Sequence, residues 1–331
     1  MARRRRSSRR LAPRRSGVLR RGLLIAGGLI VAALVALVAL FYKPDLSLAT
    51  LKARYANADS RFLPIGPLTV HYRDVGPRDG PVLVLLHGAN ASLHTWQGWT
   101  DRLKDKFRVI SLDLPGYGLT GAYPEARPGD YHLVGYSTFL ERFVEALKLD
   151  RFALGGNSLG GGVAWTFAAR HPEQVSKLIL VDALAYPQPS PLSLPQRIAD
   201  MPVIGDLLLY VAPRDQIATV LRSAYGDPAK VTDALIDRYR DLLRYDGNRQ
   251  AMLMRLRRPD KFDTAPLRTL GMPVLILWGG KDTWIEPSTA FRLQQDIPNA
   301  QLQIFSEAGH LPMEEIPDQS AAVARKFLEA P

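Results

Sequence analysis

The run Gly155-Gly156-Asn157-Ser158-Leu159-Gly160-Gly161-Gly162 limits the folds open to this chain more than any other stretch. It follows the short apolar segment Arg151 to Leu154, which reads as a buried strand, and precedes Val163 to Arg170, which reads as a helix stopping before His171-Pro172. Inside it, Gly156, Ser158 and Gly160 form G-x-S-x-G. A strand, a glycine-flanked turn and a helix in that order hold one serine on a strained turn, its hydroxyl exposed at the C-terminal edge of a sheet. The glycines leave room for the turn and for close helix packing. The Leu159 N–H, at the helix N-terminus, is free to donate to a negative oxygen. A glycine-rich turn that merely contains a serine is the plainer reading, and the rest of the chain decides between the two.

Three further motifs sit at strand ends. Leu86-His87-Gly88-Ala89-Asn90 follows the apolar strand Val82 to Leu86, and a turn at Gly88 would aim the Ala89 N–H at the same place as that of Leu159. Gly279-Gly280-Lys281-Asp282 follows the strand Val274 to Trp278 and sets a carboxylate at its end. Ala308-Gly309-His310 comes just after the last strand, Gln301 to Phe305. The expected assignment is Ser158 as nucleophile, His310 as base, Asp282 as the acid orienting it, and the Ala89 and Leu159 amides as the oxyanion hole. Asp182, after the strand Lys177 to Val181, is the rival acid.

Together these motifs resemble an α/β-hydrolase of the lid-bearing branch, which includes esterases, meta-cleavage-product (carbon–carbon bond) hydrolases, cofactor-free haloperoxidases and epoxide hydrolases. The order Ser, Asp, His is that of this arrangement. Asp113-Leu114-Pro115-Gly116-Tyr117-Gly118 looks like the D-x-P-G-x-G turn of the branch, and the resemblance runs from about Phe62 to the C-terminus. The branch's dehalogenases and epoxide hydrolases use an aspartate nucleophile where this chain has Ser158. The resemblance implies an α/β fold with a mostly parallel central sheet wrapped by helices, an inserted helical lid, and serine chemistry needing neither cofactor nor metal.

The net charge of +11 belongs to one end of the chain. Met1 to Arg21 holds ten arginines and no acid, which leaves 33 basic against 32 acidic residues in the remainder. The body is therefore about neutral, and nucleic acid is not an expected partner. With no cysteine, disulfides, thiolate metal sites and a cysteine nucleophile are excluded. Gly22 to Tyr42 is 21 residues without a charge. As a helix such a run spans about 30 Å, a bilayer core. Flanking arginines stay cytoplasmic, so the expectation is a single-pass signal anchor with everything after Lys43 across the membrane. A cleaved signal peptide is the alternative.

The expected organisation is an arginine-rich cytoplasmic tail (1–21), a transmembrane helix (22–42), a connector (43–60), a hydrolase core (61–183 and 269–331) and a helical lid (184–268). Phe62 to Ile65 and Leu68 to Asp74 read as a hairpin, after which strands and helices alternate as in a parallel sheet. The roughly ninety residues between the strands ending at Val181 and starting at Val274 are too long for a loop in a compact domain and carry a helical pattern at Val231 to Arg244. Their length and pattern point to the lid.

The functional expectation is a membrane-anchored serine hydrolase of unassigned oligomeric state, acting on a small-molecule carboxylic ester with an apolar part and held in the lipid bilayer by residues 22–42. A carbon–carbon bond hydrolase or a haloperoxidase would share the same residues. A non-catalytic binding module on the same scaffold would need none of the three. Of the other histidines, His87 is expected to shape the oxyanion loop, and His71, His94, His132 and His171 to lie in turns or at the surface. Asn157, Asn90, Trp96, Trp165 and Trp284 could border a substrate, with packing as the alternative role for each.

Overall fold

A computed structural model of the chain describes residues 16–127, 129–187, 197, 200–201, 205–210, 213–258, 260 and 263–331. Part of the region between Val181 and Val274 therefore lies outside the described residues, as does the tail 1–15. The chain forms two units, 1–42 and 43–331.

In the first unit the described residues include the helix α1, Ser16–Phe41, which takes in almost all of the uncharged run. Side chains at 16–19, 30, 34, 37, 38 and 41 lie outside the described set, and among the described residues no helix is long and apolar enough to cross a membrane. The membrane reading of residues 22–42 thus rests on the sequence.

The second unit is built on one sheet of eight strands in the order β1-β2-β4-β3-β5-β6-β7-β8. These are β1 Ser60–Ile65, β2 Leu68–Val75, β3 Val82–Leu86, β4 Arg108–Leu112, β5 Phe152–Asn157, β6 Val175–Val181, β7 Val274–Gly279 and β8 Gln301–Phe305. The hairpin β1–β2 and the β2–β4 pairing are antiparallel, and β4-β3-β5-β6-β7-β8 are parallel. Parallel strands need crossovers, and the helices supplying them cover both faces, which is why the central strands read as unbroken apolar runs.

Side chains alternate across the pleat. Val84, Leu86, Leu154, Leu178, Leu180 and Ile276 join one core with helices α4 (Leu133–Ala146) and α5 (Leu159–Arg170), which contribute Phe139, Phe143, Val163 and Phe167. Leu83, Leu85, Ile179, Val181, Leu275 and Leu277 join the other, where α3 (Gln97–Leu103) contributes Trp99 and the C-terminal helix (Pro317–Glu329) contributes Phe327. The result is three layers, helix on sheet on helix.

Between β6 and β7 the described residues include three helices, α6 Arg214–Ala224, α7 Asp233–Leu243 and α8 Asn248–Arg257. A short helix α2, Leu48–Tyr55, is capped by the Ser47 hydroxyl accepting from the Thr50 N–H. Its neighbourhood is tied to these helices by ion pairs Arg249–Asp45 (2.5 Å) and Arg54–Asp241 (2.6 Å). The segment 43–60 is thus bonded into the larger unit.

Two of the six histidines depart from expectation. His71 is fully buried, its Nδ1 2.7 Å from Asp113 Oδ2, while Asp113 also accepts the N–H groups of Leu93 and Leu119. Burial alone would raise the Asp113 carboxyl, but the His71 ring and its hydrogen bond overcome it and hold the group well below the usual range. Asp113 thereby ties the D-x-P-G-x-G turn to the chain leading from β3. His94 is bonded to the Tyr55 carbonyl, and burial together with Arg73 lowers its pKa to about 3.

Candidate active site

β5 ends at Asn157 and α5 begins at Leu159, so Ser158 forms the whole turn between them. Its backbone sits at φ 52°, ψ −116°, a strained conformation for any residue with a side chain. Such strain costs on the order of 1–3 kcal/mol and persists only where neighbours over-determine it. Here the Ser158 N–H donates to Val181 O (3.0 Å), and its carbonyl accepts from Gly162 N–H (3.0 Å) and Leu184 N–H (2.9 Å). The glycines are required by contact. A Cβ at Gly156 would lie 2.2 Å from Gly160 O, and one at Gly160 would lie 2.3 Å from Leu86 O.

The oxyanion loop lies against this turn: a Cβ at Gly88 would come 2.8 Å from Asn157 Oδ1 and 3.1 Å from Ser158 Cβ. Ala89 follows directly, and Leu159 is the first residue of α5, whose N–H has no partner within the helix. His87 is buried and braces the loop. Its Nε2 accepts from Leu114 N–H (3.0 Å), so Nδ1 carries the proton and donates to Gly88 O (2.7 Å). Burial lowers its pKa, keeping the ring neutral.

Asp282 and His310 meet. His310 Nδ1 is 2.7 Å from Asp282 Oδ2, with both side chains buried. Asp282 Oδ1 accepts the N–H groups of Trp284 (2.7 Å) and Ile285 (3.1 Å). Three donors suit a carboxylate that is ionised. Nδ1 must then be the protonated ring nitrogen, leaving the Nε2 lone pair available to accept a proton. Nε2 is buried and makes no hydrogen bond.

Asp182, the rival acid, also belongs to this cluster. It is buried at φ 44° just past β6, and its Oδ1 accepts Gly279 N–H (2.9 Å). One oxygen from each aspartate and one ring nitrogen of His310 all lie within 4.8 Å of one another. That spacing alone would suit a cation. Most of the lone pairs are nevertheless committed to hydrogen bonds, with only Asp182 Oδ2 and His310 Nε2 unengaged.

Three residues hold the histidine loop: Asn157, in the packing role that was its alternative reading, and Glu315 and Ala224, which the sequence reading passed over. Asn157 Nδ2 donates to Val181 O and His310 O, both at 3.1 Å. Glu315, with a buried side chain, accepts the N–H groups of Gly309 (2.8 Å), Gly226 (2.9 Å) and Asp227 (2.8 Å). Ala224 O accepts the His310 N–H at 2.6 Å, so the C-terminal end of α6 touches the histidine directly. Trp284 lies over the His310 ring at 5.0 Å between centroids, and its Nε1 donates to Ser223 Oγ (3.0 Å). Trp284 is 40% exposed, whereas Trp96 and Trp165 belong to the cores. Two adjacent glutamates, Glu314 and Glu315, inside the otherwise apolar stretch after His310 were the available signal, which does not by itself say which of them is buried.

A family model described as the alpha/beta hydrolase fold matches residues 81–317. The chain belongs to the α/β-hydrolase family. This α/β-hydrolase is 29% identical, over 73% of its length and 85% of the relative's, to a 2-hydroxy-6-oxononadienedioate/2-hydroxy-6-oxononatrienedioate hydrolase of Paraburkholderia phymatum. It is 26% identical to epoxide hydrolase 3 of Xenopus tropicalis, over 78% of its length and 74% of the relative's. Among solved structures it is similar to a bacterial membrane phospholipase A, with a TM-score of 0.68 and 25% identity, covering 94% of this chain and 96% of the other.

Proposed function

We propose that this α/β-hydrolase is a serine hydrolase cleaving carboxylic esters with an apolar part by way of an acyl-enzyme. The 2.7 Å bond between His310 Nδ1 and Asp282, beside a serine held at positive φ on the elbow, is the observation that carries the reading. Ser158 Oγ attacks the carbonyl carbon as His310 Nε2 takes its proton, and the carbonyl electron pair moves onto oxygen beside the Ala89 and Leu159 amides. Collapse of that oxyanion breaks the bond to the leaving alkoxide, which takes the proton from His310. Water, activated by the same nitrogen, then releases the acid and restores Ser158.

The relatives support different bonds. The carbon–carbon hydrolase relative favours a vinylogous diketone as the alternative substrate, and the phospholipase likeness favours a lipid ester. Ser158 stands against epoxide chemistry by an aspartate nucleophile. Residues 184–268 act as the lid over the core 61–183 and 269–331. This reading is supported by Ser223 and Ala224, which reach Trp284 and His310 from that segment. Residues 22–42 serve as a single-pass anchor with the arginines cytoplasmic, supported by their length, lack of charge and flank.

A panel of nitrophenyl esters from short to long acyl chains, run against a vinylogous diketone on the purified full-length protein, tests the substrate class. Turnover of esters alone is expected; turnover of the diketone alone would replace the ester reading. Retention of the protein in carbonate-washed membranes is expected, and release into the wash would remove the anchor.

A further inference from the structure

Asp182 is unused in that mechanism, yet its position is unusual. It is completely buried, its backbone is held at φ 44°, and its Oδ1 accepts Gly279 N–H while Oδ2 has no hydrogen-bond partner. One of its oxygens lies within 4.8 Å of an oxygen of Asp282 and of a ring nitrogen of His310. The charged or titratable groups facing it are Asp282 after β7, His310 after β8 and Glu315 in Pro312–Glu315. Two of the three are acids.

Two ionised carboxylates at this spacing, both out of water, repel strongly, and one must keep its proton. The hydrogen bonds say which. Asp282 accepts from three donors and is held as the anion. Asp182 has one donor, on Oδ1, and an ionised Oδ2 would be buried with nothing to satisfy it. A proton on Oδ2 turns the orphan into a donor, and Asp282 still has lone-pair capacity to receive it. Burial first, then the Asp282 charge, drive the Asp182 carboxyl well above the usual carboxylate range, in the same direction.

We propose that Asp182 is a positioning residue, held as a neutral carboxylic acid whose Oδ2–H donates to the Asp282 carboxylate and so fixes the group that orients His310. The inference rests on the serine-hydrolase reading for its kinetic consequence and on geometry alone for its structural one. The unit is then His310, Asp282 and Asp182, converging within 4.8 Å of one another, with Ser158 as the group that His310 serves in the proposed reaction. On this proposal Asp182 is not the acid that carries the negative charge; Asp282 is.

The test compares Asp182→Asn, which keeps an acceptor for Gly279 and a donor for Asp282, with Asp182→Ala and Asp182→Leu, which keep neither. Leucine fills the volume in case the alanine variant does not fold. On full-length protein with a nitrophenyl ester, Asp182→Asn is expected to keep kcat within about threefold, while the apolar variants lose about ten- to a hundredfold in kcat with KM nearly unchanged. Equal loss in Asp182→Asn and Asp182→Leu would mean that the charge matters and would overturn the proposal. Wild-type kcat in Asp182→Leu would overturn it too. The low-field proton resonance of His310 Nδ1–H reports independently of turnover. It should stay in place in Asp182→Asn and shift or broaden in Asp182→Leu, and no change in either variant refutes the positioning role. If the wild type neither turns over esters nor reacts with a fluorophosphonate, the hydrolase reading fails, and the resonance still decides Asp182.

Discussion

Replacing Glu315 with alanine should be among the most damaging changes outside the reacting groups. Its carboxylate collects three backbone N–H groups from two separate segments: Gly309, next to His310, and Gly226 with Asp227, from the chain after α6. Lys230 Nζ adds a longer contact at 3.9 Å. Alanine would strand all three amides, and each unsatisfied buried donor costs about 1–3 kcal/mol. The Gly226 and Asp227 amides are only partly buried, so water recovers some of that loss. A net destabilisation of about 3–5 kcal/mol follows. The same change frees the loop bearing His310, so kcat should fall about a hundredfold or more even in the folded fraction. Glu315→Gln keeps one acceptor oxygen, enough for the two amides at Oε2, and should lose roughly half as much stability. Urea unfolding followed by tryptophan fluorescence, with single-turnover ester kinetics at a urea concentration where both variants remain folded, separates the two effects. A Glu315→Ala protein within about 1 kcal/mol of wild type would refute this account of the loop.

Three other outcomes follow from the geometry. Because the Asp182 carboxyl is raised in the folded state, the native protein keeps a proton that the unfolded chain has already released above about pH 4. Its contribution therefore weakens as pH rises, by up to about 1.4 kcal/mol per unit, until the folded pKa is passed. Asp182→Asn removes this titration, so its stability relative to wild type should climb from pH 5 to pH 8, and a flat difference in urea midpoints would count against a proton on Asp182. Gly160→Ala, whose Cβ would meet Leu86 O at 2.3 Å and His87 O at 2.6 Å, should cost at least about 3 kcal/mol, since both obstacles are backbone; a loss under 1 kcal/mol would show that the elbow can yield. Trp284→Ala should leave stability within about 1 kcal/mol, the ring being 40% exposed, yet lower kcat/KM about tenfold by uncovering His310; unchanged kinetics would make the contact incidental.

Where an apolar run or a polar–apolar alternation is bounded by turn residues, the sequence located the element residue for residue, as at β3 and β8 respectively. The order of strand ends also placed Asp282 and His310 on one edge, and they meet there. Helix α5 begins four residues earlier than its pattern indicates. Gly160, Gly161 and Gly162 are poor helix formers, but Leu86 O, Ala183 Cβ and Leu133 Cδ2 leave no room for larger residues, so packing overrides propensity. His71 read as a surface or turn residue because its partner, Asp113, is 42 positions away and no periodicity links them. Glu315 was missed because it acts on backbone amides, which leave no mark in side-chain pattern, and the same invisibility left the role of Asn157, which donates to two backbone carbonyls, undecided between substrate contact and packing. The two aspartates could be ranked from sequence, but their convergence on one histidine appears only when β6 and β7 are seen side by side.

The central claim is that Ser158 is a nucleophile activated by His310 and Asp282. Fluorophosphonate labelling of the full-length protein, read by peptide mass spectrometry together with the rate of adduct formation, tests it most directly. The account predicts a single adduct on the peptide carrying Ser158, absent in Ser158→Ala and slowed by several powers of ten in both His310→Ala and Asp282→Asn, with little further loss when those two are combined. An adduct on another residue, or labelling of Ser158 at the wild-type rate in Asp282→Asn, would contradict it.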